Sequence, residues 1–96
     1  DSDSHTQLPL TPYPNPFNQQ VTLAYSLDQS QKVEISVYNV LGQAVYTFPS
    51  QIQPAGTHKL NWNGTDDQGQ AVPSGLYLIR MATPEQNQIS KIMLLK

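Results

Sequence analysis

Asp66 and Asp67 are the only adjacent acidic pair in the sequence, and they sit in a stretch from Trp62 to Tyr77 that reads W-N-G-T-D-D-Q-G-Q-A-V-P-S-G-L-Y. A general acid/base pair needs two carboxyls converging on one bond, in environments that separate their pKa values. Neighbours on an extended chain point to opposite sides and do not converge. Asn63, Asp66, Asp67 and Gln68 offer several oxygens, which makes Asp66 and Asp67 a calcium candidate, but the D-x-D-x-D-G order and the distant glutamate of a calcium loop are missing. His5 and His58 have no cluster around them for zinc. Ser74 precedes a glycine without the G-x-S-x-G elbow that exposes a nucleophile. Asn63-Gly64-Thr65 fits an N-glycosylation acceptor, a short pattern that arises often by chance. The chain has no cysteine, which removes disulfides, thiolate catalysis and cysteine-ligated metals together. The inventory yields no enzyme and no cofactor.

The elements around these residues suit a scaffold better. Leu60 and Trp62 end an alternating run, with His58 on the same face and Thr57, Lys59 and Asn61 on the other. Asn63-Gly64 and Asp67-Gln68-Gly69 are turn formers, because Asn, Asp and Gly tolerate positive φ. Ser74-Gly75 then releases the chain into the strand-forming run Leu76-Tyr77-Leu78-Ile79.

Ninety-six residues make one domain with a single modest core. A formal charge of −2 leaves no polybasic face for nucleic acid or anionic lipid. No apolar run reaches the ~20 residues that span a bilayer, and no signal peptide opens the sequence. If the protein is exported, its signal is expected upstream.

Residues 1–10 read as a linker remnant, polar at first and short of packing side chains, with the folded domain expected over 11–96. Leu8 to Asn18 holds four prolines, so an extended edge segment is expected there, pinned to the core by Tyr13 and Phe17. Val21, Leu23, Tyr25 and Leu27 share one face of a strand, and Val33, Ile35 and Val37 one face of the next. Asn39 to Gly42 forms a hairpin connection with Gly42 left-handed, and Gln43 to Phe48 its partner strand. Pro49 to Gly56 reads as a crossover, and Gln88 to Lys96 as the last strand. Short alternating runs at this spacing imply an all-β, immunoglobulin-like antiparallel sandwich of about seven strands without a disulfide.

The hexapeptide Tyr13-Pro14-Asn15-Pro16-Phe17-Asn18 resembles the opening of the C-terminal sorting domain of type IX secretion cargo, and the related immunoglobulin-like domain of flagellar hook-capping proteins has a similar pattern. Thr22, Leu23 and Tyr25 follow at that family's spacing. Val37-Tyr38-Asn39-Val40-Leu41-Gly42-Gln43 with Val45, then Ala55-Gly56-Thr57-His58, then Trp62-Asn63-Gly64, Gly69, Val72 and Ser74-Gly75-Leu76-Tyr77 match in turn. Lys91-Ile92-Met93-Leu94-Leu95-Lys96 resembles the family's terminal K-(I/V)-x-L-x-K. Asn63 stands where the family often has Asp.

The resemblance implies a non-catalytic domain at the C-terminus of an exported protein. Its partners would be the outer-membrane type IX translocon, a sortase-like peptidase and an upstream cargo domain, and its route would run through the periplasm to the cell surface or medium. The peptidase would cut in or before Asp1–Gln7. Physical reasoning adds that a strand at the chain end can offer its edge to a partner, or to a second copy, by strand addition. On this view Gly75–Tyr77 fixes the scaffold and Lys91, Ile92, Met93, Leu94, Leu95 and Lys96 carry recognition, so that deleting these six residues is expected to leave the fold intact and block export. Two other readings are a structural immunoglobulin-like module of an assembly and a carbohydrate-binding accessory module with an exposed Trp62 beside Tyr46.

Trp62 closes the core beneath the long turn in the favoured reading. Trp62→Ala is expected to cost about 3–5 kcal/mol, out of a total of about 5–15 kcal/mol. Cooperative melting should be lost, and an unchanged melting temperature would refute the assignment.

Overall fold

Alternation of apolar and polar side chains decides which side of each strand is buried, and two sheets result. The computed structural model describes residues 10–85 and 87–96. Its strands are β1 (Thr11–Tyr13), β2 (Val21–Leu27), β3 (Gln31–Asn39), β4 (Ala44–Thr47), β5 (Gln51–Gln53), β6 (Gly56–Trp62), β7 (Gly75–Ala82) and β8 (Asn87–Leu94). One sheet has the order β1-β2-β6; the other has the order β4-β3-β7-β8, with β5 also paired to β3. Every strand pairing is antiparallel. Val21, Leu23, Tyr25 and Leu27 of β2 and Val33, Ile35 and Val37 of β3 are buried as the alternation requires. Tyr77, Ile79 and Met81 of β7 and Ile92 and Leu94 of β8 complete the core.

Eight strands replace the seven expected, because Gln51–Gln53 forms β5 inside what reads as a crossover. β4 and β5 run in line along one side of β3, and Phe48 N donates to Ile35 O at 2.9 Å between them. Pro49 has no N–H to continue that ladder, so one edge strand is split in two. The hairpin at Asn39–Gly42 forms as expected. Gly42 has φ +83° and donates to Asn39 O at 3.0 Å, while Asn39 Oδ1 accepts the N–H groups of Leu41 and Gln43. A side chain at Gly42 would strain that left-handed backbone.

The proline-rich segment is anchored differently from expectation. Phe17 is 2% exposed and Leu10 4%, whereas Tyr13 is 42% exposed and leaves the pinning to the other two. Tyr13 pairs in β1 but its ring faces outward, since it sits opposite Thr22, which alternates with the buried Val21 and Leu23. The linker expected over 1–10 lies, apart from the buried Leu10, outside the described residues.

At the opposite end of the sandwich, Tyr25 of β2 donates its hydroxyl to Gln53 Oε1 of β5 at 2.5 Å, tying the two sheets with a buried hydrogen bond. Burial pushes the Tyr25 phenol above its ordinary range, the Gln53 hydrogen bond pulling slightly the other way. Burial also raises Tyr77, whose hydroxyl donates to Pro73 O at 2.6 Å. The fold therefore favours both neutral phenols, while the unfolded chain ionises them near pH 10. Stability from this source is complete below about pH 10 and falls as pH rises through the raised folded values. An alkaline titration followed by ultraviolet absorbance and circular dichroism should show Tyr25 and Tyr77 ionising above their ordinary range, together with loss of the fold. Ionisation of Tyr25 and Tyr77 near pH 10 with the sandwich intact would contradict this.

Candidate functional site

The two most diagnostic stretches of the sequence, Y-P-N-P-F-N and K-I-M-L-L-K, meet along one edge of the larger sheet. β8 is an outer strand, so one row of its N–H and C=O groups needs partners from outside the sheet. Residues 13–18 supply them. Asn15 Nδ2 donates to Lys91 O at 3.0 Å, and Met93 N donates to Asn15 Oδ1 at 3.0 Å. Phe17 N donates to Met93 O at 2.9 Å, and Leu95 N donates to Phe17 O at 2.8 Å, making a short parallel bridge. A primary amide carries the same donor and acceptor as a peptide group, so the Asn15 side chain acts as one more strand residue. Prolines on either side cannot donate to that ladder, which is why the side chain is used. Further along, Leu10 N donates to Gln88 Oε1 at 2.6 Å, and Ser90 Oγ donates to Leu10 O at 3.0 Å.

The free edge expected at Lys91–Lys96 is thus occupied by the chain's own proline-rich strap. Of the six residues expected to carry recognition, Ile92 and Leu94 are buried in the core. Lys91, Leu95 and Lys96 are exposed and Met93 is half-buried. Deleting residues 91–96 would remove two core side chains and half of β8, so that truncation destroys the fold rather than leaving it intact.

Phe17 also carries the strap into the aromatic centre. Its ring lies 5.9 Å from that of Trp62, and Trp62 lies 5.6 Å from Tyr77 in an edge-on contact. Trp62 is 1% exposed and donates Nε1–H to Thr65 O at 2.8 Å. A platform role for Trp62 in sugar binding is therefore corrected: the ring is in the core. Tyr46 packs edge-on against Phe48 at 4.9 Å, away from that cluster.

The residues whose types suggested chemistry serve the backbone. Asp66 Oδ1 accepts from Gln68 N and Gln70 N, both at 2.9 Å, closing the turn in which Gly69 has φ +82°. Asp67 reaches the opposite way: its N–H donates to Val45 O at 3.1 Å, and its Oδ1 accepts Thr47 N at 3.1 Å. Asp67 thereby covers the edge of β4, an outer strand on the opposite side of the larger sheet. Among the described residues no group of three or more His, Cys, Asp or Glu is placed to hold a metal. His58 Nε2 is 2.7 Å from Pro54 O and its ring stacks on Tyr25. Ser74 Oγ accepts Lys96 N at 3.0 Å. His5 lies outside the described residues. The other glycines singled out from sequence, Gly56, Gly64 and Gly75, also have positive φ. Sequence reasoning missed Leu10 as a core residue and missed the bonds from Asn15 and Asp67 to strand edges. Each joins residues far apart in the chain, and no local pattern announces it.

The profile of the FlgD Ig-like domain matches residues 15–87. No curated protein matches the chain. Among solved structures, dimeric latent PorU from Porphyromonas gingivalis has a TM-score of 0.72 at 17% identity, covering 94% of this chain and 9% of PorU. PorZ from the same bacterium, described as an essential surface component of its type IX secretion system, gives 0.63 at 19% identity, covering 91% of this chain and 11% of PorZ. The hook-capping protein FlgD from Xanthomonas campestris gives 0.63 at 18% identity, covering 91% of this chain and 64% of FlgD. The chain thus spans about a tenth of the first two proteins.

Replacing Asn15 with Ala should cost about 1–2 kcal/mol, the sum of two modest hydrogen bonds. Hydrogen exchange at the Met93 amide should quicken while the Ile79 amide, in the middle of β7, stays protected. Unchanged exchange at Met93 would show that the strap does not depend on this side chain. The profile match over most of its length places the chain in one family: it belongs to the FlgD Ig-like domains.

Proposed function

We propose that this immunoglobulin-like domain is a non-catalytic sorting signal. It directs an exported cargo from the periplasm through the outer-membrane type IX translocon to the cell surface or medium, with a sortase-like peptidase acting upstream of it. The observation that carries the reading is the joint between Asn15 and Phe17 and the strand Lys91–Leu95. The two segments most specific to the sorting-domain resemblance are remote in sequence, and they form one unit on the surface. The likeness of fold to PorU and to PorZ, a type IX secretion component, supports it. The structural side chains built around Asp66, Asp67, His58 and Ser74 agree with a domain that binds rather than catalyses.

A second reading, an assembly module, is favoured by the FlgD likeness, since that protein caps the flagellar hook. The two readings separate in one experiment. A reporter with an N-terminal Sec signal and residues 1–96 at its C-terminus is expressed in a type IX-competent strain and in a translocon-null strain. Surface or released reporter in the competent strain alone is the expected result. Reporter held in the periplasm of both strains refutes the sorting reading and leaves the assembly module.

A further inference from the structure

The outer face of the larger sheet is built unlike a face that only meets water. Tyr38 of β3, Leu78 of β7 and Lys91 of β8 lie in one cross-strand row. Leu76 and Met93 form the next row toward the chain end, and Ser36, Arg80 and Ile89 the row on the other side. Strand alternation puts all of these side chains opposite the core. Leu76 is 37% exposed and Ile89 65%, with Leu78, Met93 and Tyr38 half-buried.

Antiparallel sandwiches with one wet face ordinarily alternate apolar with polar, whereas a continuous apolar run marks a strand covered on both sides. β7 opens with such a run, Leu76-Tyr77-Leu78-Ile79, and β8 closes with Ile92-Met93-Leu94. Core packing accounts for Tyr77, Ile79, Ile92 and Leu94 and leaves Leu76, Leu78 and Met93 outside the core cluster, on the opposite face. Arg80 and Lys91 flank this stripe, and among the described residues the only ion pair is Lys32–Glu34, at the far end of the face. The chain as a whole is acidic, with a net charge of −2, so two cations on an apolar stripe are a local reversal.

We propose that this face, centred on Tyr38, Leu78 and Met93 and bordered by Arg80 and Lys91, docks on a protein surface that is apolar at its centre and rimmed by carboxylates. The proposal rests on the sorting reading and names the surface through which the export machinery takes hold of the folded domain. Charge decides among occupants. A second copy related by twofold symmetry would bring Arg80 and Lys91 against their own equivalents. Two cations fall short of the basic clusters that hold proteins to anionic lipid. The capped edges of β4 and β8 point the same way: with main-chain pairing occupied on these two strands, the side chains between them are what the larger sheet offers there.

The test uses the export reporter with four versions of the domain: unchanged, Arg80→Glu with Lys91→Glu, Arg80→Lys with Lys91→Arg, and Lys59→Glu on the smaller sheet as control. The reversal pair should lower exported reporter by about tenfold or more in the competent strain, the charge-conserving pair should restore it, and the control should match the unchanged domain. Purified domains must share one melting temperature, which separates lost docking from lost folding. Normal export of a folded reversal pair overturns the proposal and leaves the sorting reading standing. No export of the unchanged domain overturns both. Self-association of the purified domain that the reversal pair abolishes, or its flotation with phosphatidylglycerol vesicles, assigns the face to another occupant and also overturns it.

Discussion

The contact of Phe17 with Trp62 is the constraint on which the rest of the domain depends. Trp62 ends β6 in the smaller sheet, Tyr77 belongs to β7 in the larger one, and Phe17 arrives on the strap that runs beside β8. Three aromatic rings therefore hold both sheets and the strap at one point, at the centroid spacings that tilted and edge-on aromatic pairs prefer. The indole N–H leaves that apolar cluster through Thr65 O, which sets the course of the turn after β6. The same turn carries Val72 into the core and Asp67 out to β4.

A small open sandwich has outer strands whose main-chain groups invite other chains to pair. This one covers β4 and β8, on opposite sides of its larger sheet, with polar side chains of its own, Asn15 on β8 and Asp67 on β4. Both side chains sit on irregular segments rather than strands, and each offers an oxygen to an amide that would otherwise face solvent. That use explains an acidic pair in a loop without invoking catalysis. Asp66 holds the turn and Asp67 holds the turn to the sheet, so adjacency serves two directions at once.

Covering the edges changes how such a domain can be recognised. Strand addition at Lys91–Leu95 would first have to displace the strap, with its main-chain bonds from Phe17 and its side-chain bonds from Asn15. Side chains standing off the sheet remain available without any rearrangement, and those on β3, β7 and β8 combine aliphatic bulk with Arg80 and Lys91, besides the Lys32–Glu34 pair at the far end.

Much of this was legible in the residues. Alternation in Val21–Leu27 and Val33–Val37 determined two core-facing strands, Gly42 behind Asn39 determined a tight hairpin, and Trp62 ahead of a run of turn formers determined a buried ring under a loop. These are local matters, settled by the two-residue period of a strand and by the backbone freedom of glycine. Only the tertiary structure decided where Asn15 and Asp67 point, that β5 continues the line of β4 past Pro49, that Leu10 is core while Tyr13 is not, and that Ile92 and Leu94 face inward within a segment otherwise open to a partner. Asn15 and Met93 stand 78 residues apart, and the hydrogen bond between them exists because packing of Phe17 on Trp62 brings the strap alongside β8. A pattern of residue types carries the periodicity of a strand, but the pairing of its edge is fixed by what the rest of the chain lays beside it.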